Sequence, residues 1–145
     1  MQESQITSSE WEVMRVVWAN QPTTSKYISE ILTQKMDWKP ATTKTLIGRL
    51  VKKNKLNTLE EGRKYLYSAN VSEQESIQEN SKEVLQQVCT KKRGAVLYQM
   101  IEDTTLSIED IERLEELLQT KKKTAPKVVA CQCVPGQCNC QQECH

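Results

Sequence analysis

The chain has no phenylalanine, one histidine, four glycines and four prolines in 145 residues. Aromatic residues reach only 5%, so few large rings are available to anchor a core. All three tryptophans, Trp11, Trp18 and Trp38, fall in the N-terminal part, which places the main core there. The lone histidine, His145, argues against a histidine-built catalytic centre and against a Cys–His nucleophile pair. No other catalytic constellation is visible, and the chain is expected not to be an enzyme. No apolar run approaches the roughly 20 residues needed to cross a bilayer. The first residues, MQESQITSSE, are neither basic nor apolar, unlike a secretory leader. The expectation is a cytoplasmic protein without a membrane partner, whose thiols stay largely reduced.

Net charge is also low, at +1, but it is unevenly spread. Residues 1–70 carry 11 Lys/Arg against 7 Asp/Glu, a balance of +4, while residues 71–145 carry 9 against 12, a balance of −3. Between Lys39 and Lys64 there are 8 basic and 2 acidic residues. One concentrated basic segment in a near-neutral chain fits a polyanion-binding surface, and equally a solvated helix face.

Hydrophobic spacing supplies the elements. Ser9 and Glu12 have the spacing of a capping box and open a first helix over about 9–19, with Trp11, Met14, Val17 and Trp18 at helical intervals. Thr24 caps a second helix carrying Ile28, Ile31 and Leu32. Pro40 suits the first turn of a third, whose stripe is Leu46, Ile47, Leu50 and Val51. Leu56–Glu60 and Arg63–Ser68 read as two strands about Glu61-Gly62, with Tyr65 and Tyr67 on one face. Ser72 and Glu75 form a second capping box, opening a helix that runs to about Thr90 and places Cys89 mid-helix as a packed residue. Helices over about 93–102 and after Ser107 follow, the latter with Ile111, Leu114, Leu117 and Leu118 on one face. The fold expected is mainly α: an N-terminal winged helix-turn-helix at 1–70, a helical dimerisation region at 71–120, and a linker with a cysteine-rich tail at 121–145. The three later helices have apolar stripes but little bulk. They fit pairing with a second copy, or packing back onto the N-terminal domain.

On the third helix, Thr42, Thr45, Arg49 and Lys52 share the face opposite the apolar stripe. Such side chains suit a major groove, Arg toward guanine edges, Thr toward base methyls or phosphates, and Lys toward phosphates. Gly48 on that side permits close backbone approach. Arg63 and Lys64, beside the hairpin turn, are placed for flanking phosphates. Double-stranded DNA is the expected partner; an ordinary exposed face is the alternative.

Five of the six cysteines fall between Cys131 and Cys144. Cys131, Cys133, Cys138 and Cys140 form a CxCxxxxCxC pattern about Pro135-Gly136, a pair suited to a tight turn that folds one arm on the other. Four thiolates suit tetrahedral zinc, and the same soft ligands suit Cu(I) or cadmium. Cys144 and His145 are candidate auxiliary ligands.

Taken together, SEWEVMRVVW, WKPATTKTLIGRLVKKNKL, EGRKYLYSANVSE and the final CQCVPGQCNC resemble the CopY copper-responsive repressors, a branch of the BlaI/MecI penicillinase-repressor family. The resemblance spans nearly the whole chain. It implies a homodimer on an inverted-repeat operator of copper-transport genes. It also implies a repressing state with Zn(II), and release when a copper chaperone delivers Cu(I) to Cys131, Cys133, Cys138 and Cys140. The β-lactam-responsive branch, inactivated by cleavage at an Asn-Phe bond, fits poorly with a chain that lacks Phe. A cytosolic thiolate buffer or metal chaperone is the alternative from another class.

Overall fold

The computed structural model describes residues 5–139. Helix α1 runs Ser8–Asn20, α2 Ser25–Met36 and α3 Pro40–Lys52. Strands β1, Leu56–Glu61, and β2, Lys64–Ala69, form an antiparallel hairpin. Helices α4, Glu73–Gln86, α5, Arg93–Asp103, and α6, Ile108–Lys122, follow, with a short 3-10 turn at Thr90–Lys92 before α5. The chain divides into two compact units, residues 1–79 and 80–145.

The first unit holds the core. Val13, Met14 and Val17 of α1, Ile28 and Leu32 of α2, and Leu50 of α3 are fully buried, with Leu46, Ile47 and Leu56 nearly so. Burying one such side chain stabilises by about 1.5–3 kcal/mol. Trp18, Trp38 and Tyr67 pack partly buried around this cluster. Trp11 lies at the half-buried edge, its ring 5.6 Å from that of Trp18 in an edge-to-face arrangement.

The start of α1 differs from expectation. Thr7, not Ser9, is the N-cap, and Glu10, not Glu12, completes the capping box. The deciding factor is charge pairing: Glu10 is buried against Lys53, while Glu12 points to Lys35 of α2 at 2.5 Å. Thr24 caps α2 as expected, accepting from Tyr27 N–H at 3.2 Å. Asp37 ends α2 in the left-handed region, at φ 59°, and Thr33 Oγ1 donates to Trp38 O at 2.9 Å. Together they shape the turn from α2 to α3. Pro40 sits in the first turn of α3, where no N–H is needed.

The hairpin register pairs Glu61 with Lys64, so the loop is Gly62-Arg63, one residue beyond the expected turn. Gly62 alone has positive φ there, +62°, the pattern of a type II′ turn, whose twist matches that of the strands. Thr23 and Tyr67 exchange two backbone hydrogen bonds, 3.0 and 2.7 Å, which dock the hairpin on the α1–α2 connection. Trp18 Nε1 donates to Val71 O at 2.9 Å just beyond it.

In the second unit none of the described residues is buried. Ser107 caps α6, accepting from Asp110 N–H at 3.0 Å. Leu97, Met100 and Ile101 of α5 and Ile111, Leu117 and Leu118 of α6 are exposed. Two expected boundaries move. Helix α6 extends through Lys122, into the stretch read as linker. Helix α4 stops at Gln86, so Cys89 is not mid-helix but caps the 3-10 turn.

Candidate nucleic-acid interface and thiol cluster

Helix α3 has two clean faces. Thr43, Leu46, Ile47 and Leu50 are buried, while Thr42, Thr45, Arg49 and Lys52 are exposed on the other side, with Gly48 among them. Arg63 and Lys64 are exposed at the hairpin end. Among the described residues none of Arg49, Lys52, Arg63 and Lys64 enters an ion pair. Their charge is therefore not paired with a carboxylate among the described residues. Thr45 Oγ1 donates to Ala41 O at 3.0 Å, leaving its methyl and an oxygen lone pair for an outside contact. A groove beside α3 is lined by Ser25, Lys44, Gly48, Thr58 and Tyr65. Lys44 and Ser25 did not stand out in the sequence. Lys44 lies off the three-and-four spacing of the polar stripe, and Ser25 is brought alongside by the α2–α3 packing.

A second site lies in the second unit. Gln137 N–H donates to Val134 O at 3.1 Å, with Pro135 and Gly136, at φ +95°, as the central residues. That is a type II turn, and it folds the tail on itself as the Pro-Gly pair predicts. The turn brings Cys138 Sγ to 3.4 Å from Cys131 Sγ, and Cys133 N–H donates to Cys131 Sγ at 3.4 Å. Cys89 joins them: its Sγ lies 3.5 Å from Cys131 Sγ. The sulfurs of Cys89, Cys131 and Cys133 all lie within 4.8 Å of one another. Cys140, Cys144 and His145 fall outside the described residues. The placement of Cys89 within a helix is thus corrected, while its side chain is half-buried. The helix breaks before it, and nothing in the local sequence pattern links it to a tail 42 residues on.

Tetrahedral thiolate coordination, with metal–sulfur bonds of about 2.3 Å, places sulfurs about 3.8 Å apart. The sulfur–sulfur distances of 3.5 Å for Cys89–Cys131 and 3.4 Å for Cys131–Cys138 fall a little short of that value, so the donor set fits a soft cation with small adjustment. Without one, hydrogen bonds in which the Cys133 thiol keeps its proton and donates it toward Cys89 and then Cys131 push its pKa well above the ordinary range, with desolvation and charge at Cys131 adding to the effect. A cation inverts that preference by replacing the protons.

Three helices and a hairpin docked on the α1–α2 connection define a winged helix-turn-helix, a class that presents its third helix to the DNA major groove. The profile of the penicillinase-repressor family matches residues 6–120. The chain is 45% identical over 140 residues to an uncharacterized 16.5 kDa protein in the ptsI 3′ region of Latilactobacillus sakei, covering 97% of this chain and 96% of that one. It is 30% identical over 118 residues to the penicillinase repressor of Bacillus licheniformis, covering 81% and 92%. The solution structure of the DNA-binding domain of the repressor BlaI is 36% identical, covers 48% of this chain and 85% of its own, and superposes with a TM-score of 0.46. The chain belongs to the penicillinase-repressor (BlaI/MecI) family of DNA-binding transcriptional repressors. The family is not one of enzymes, in keeping with the missing catalytic constellation. The matched region ends before every tail cysteine and includes Cys89. No helix among the described residues is long and apolar enough to cross a membrane.

Proposed function

We propose that this repressor is cytoplasmic and copper-responsive, of the CopY type, with its tail thiols as the sensing element. The observation that carries this reading is that the Pro-Gly turn sets the Cys138 sulfur 3.4 Å from that of Cys131, with the Cys133 sulfur within 4.8 Å of Cys131. In the proposal Cys140 completes the set, while Cys144 and His145 are auxiliary. The thiolates would hold Zn(II) in the repressing form and Cu(I), delivered by a copper chaperone, in the released form. Winged-helix domain 1–70 would read DNA through Thr42, Thr45, Arg49 and Lys52, with Arg63 and Lys64 on flanking phosphates. Region 71–120 would form a homodimer through the exposed stripes of α5 and α6, since isolated helices with open apolar faces are not stable alone. A two-fold dimer matches an inverted-repeat operator.

Four thiolates carry the same formal charge with one Zn²⁺ as with two Cu⁺, so charge alone does not explain release. The two ions impose different geometries on the arms, and an effector shifts a protein only through a difference between its states. The test is operator affinity across added zinc and copper, for the wild type and a Cys131→Ser/Cys133→Ser protein. Copper is expected to release the wild type and not the variant. Identical responses would overturn the reading. Metal binding without specific promoter binding would favour a thiolate buffer, and release by cadmium but not copper would favour another soft metal.

A further inference from the structure

Cys89 is 42 residues from Cys131 in the chain, yet their sulfurs are 3.5 Å apart. The position is built by the chain break between α4 and α5. Helix α4 ends at Gln86, and Cys89 enters the next turn with φ −50° and ψ 138°, outside helical geometry. Arg93 Nε donates to Val88 O at 2.9 Å across this junction. Residues beside Cys89 also hold the tail. Thr90 Oγ1 donates to Ala130 O at 2.6 Å, just ahead of the first cysteine arm. Lys92 Nζ donates to Asn139 Oδ1, just after Cys138. Both arms are therefore seated on the junction that presents Cys89, and the Cys89, Cys131 and Cys133 sulfurs lie within 4.8 Å of one another. The neighbouring run Lys91-Lys92-Arg93 places positive charge beside a cluster that becomes anionic when its thiols ionise.

We propose that Cys89 is a thiolate ligand of the metal held by Cys131, Cys133 and Cys138, so that loading clamps the tail to the α4–α5 junction. The proposal rests on the reading of the tail as a metal site. On binding, each ligating thiol gives its proton to solvent and its sulfur lone pair to the cation; no electron changes hands. The consequence is mechanical. A ligand set spanning Cys89 and Cys131 closes a loop that contains α5 and α6, the two helices with open apolar faces. Occupancy and geometry at the metal thereby act on these helices directly.

The test uses the full-length protein, kept reduced with a phosphine, with cadmium as probe. One equivalent of Cd²⁺ is added, a short iodoacetamide pulse follows, and each cysteine is scored by mass spectrometry. Cys89 is expected to be protected together with Cys131, Cys133 and Cys138, and exposed again by EDTA. Protection of the tail with Cys89 alkylating at its metal-free rate overturns the proposal and leaves the tail site standing. No protection at any cysteine overturns both. In parallel, full-length Cys89→Ser is expected to lose one thiolate's share of the sulfur-to-cadmium absorbance. It should also bind cadmium at least about tenfold more weakly, with unchanged helical circular dichroism. Unaltered absorbance and affinity in that variant overturn the proposal.

Discussion

Glu10 Oε1 lies 2.6 Å from Lys53 Nζ, joining the first turn of α1 to the residue that ends α3. The glutamate is fully buried, and its other oxygen has no hydrogen-bond partner among the described residues. Lys53 also donates to Gln5 O at 2.8 Å. The pair anchors the far end of the helix proposed to read DNA.

Burial works to raise the Glu10 pKa, but the hydrogen bond and charge of Lys53 and the bonds to Thr7 outweigh it, and the net shift is downward. A carboxylate with a lowered folded pKa stabilises the fold above its unfolded pKa and loses that contribution as pH falls through the folded value. Glu10→Gln is therefore expected to be less stable than wild type at neutral pH. The difference should shrink once pH drops below the ordinary carboxylate range. Lys53→Met, which leaves the buried carboxylate without its partner, is expected to cost about 3 kcal/mol or more at neutral pH. Urea unfolding across pH checks both; a pH-independent gap for Glu10→Gln would contradict the assignment.

Gly48 separates stability from binding. A Cβ added there meets nothing within 4 Å, and glycine inside a helix is less favourable than alanine by about 1 kcal/mol. Gly48→Ala should raise the unfolding free energy by roughly that amount. If α3 lies close to DNA on this face, the same methyl should weaken operator binding. Thermal unfolding and a fluorescence anisotropy titration on one protein sample check the two signs. Higher stability with unchanged affinity would move the DNA contact away from Gly48.

Much of the first unit was legible because its signals are local. Thr24, Pro40 and the stripe Leu46-Ile47-Leu50 each act within one helix, and the structure places them as their chemistry predicts. The Pro135-Gly136 turn was legible for the same reason. What the pattern missed depends on distant partners. Ser9/Glu12 and Thr7/Glu10 have the same capping spacing, and only Lys53 and Lys35 decide between them. Cys89 looked like one more residue of a long helix, because the sulfur it meets, that of Cys131, is 42 positions away.

Arg49 and Lys64 are expected to differ in kind. Arg49, on the exposed face of α3, should cost about 1–3 kcal/mol on the specific operator when changed to alanine, with little change on random DNA. Lys64, in the hairpin, should weaken both equally when changed to alanine and lower the salt slope of binding by about one. Competition titrations at several salt concentrations check this. Equal loss on both DNAs for Arg49→Ala would make it a phosphate contact.

The open faces of α5 and α6 give the last prediction. Ile111 is 43% exposed and Leu118 is 55% exposed in the single chain, so replacing them removes little packing within one copy. In a dimer built on this stripe, each would be buried against the partner, and a lysine there would bring a charge into an apolar contact. Ile111→Lys/Leu118→Lys is therefore expected to leave helical circular dichroism intact while shifting the protein from dimer to monomer in analytical ultracentrifugation. Operator binding should fall with it, because two half-sites held by one dimer are engaged at high effective concentration and two monomers are not. A variant that remains dimeric would place the dimer contact elsewhere. A variant that becomes monomeric yet binds the full operator as tightly as wild type would separate dimerisation from repression.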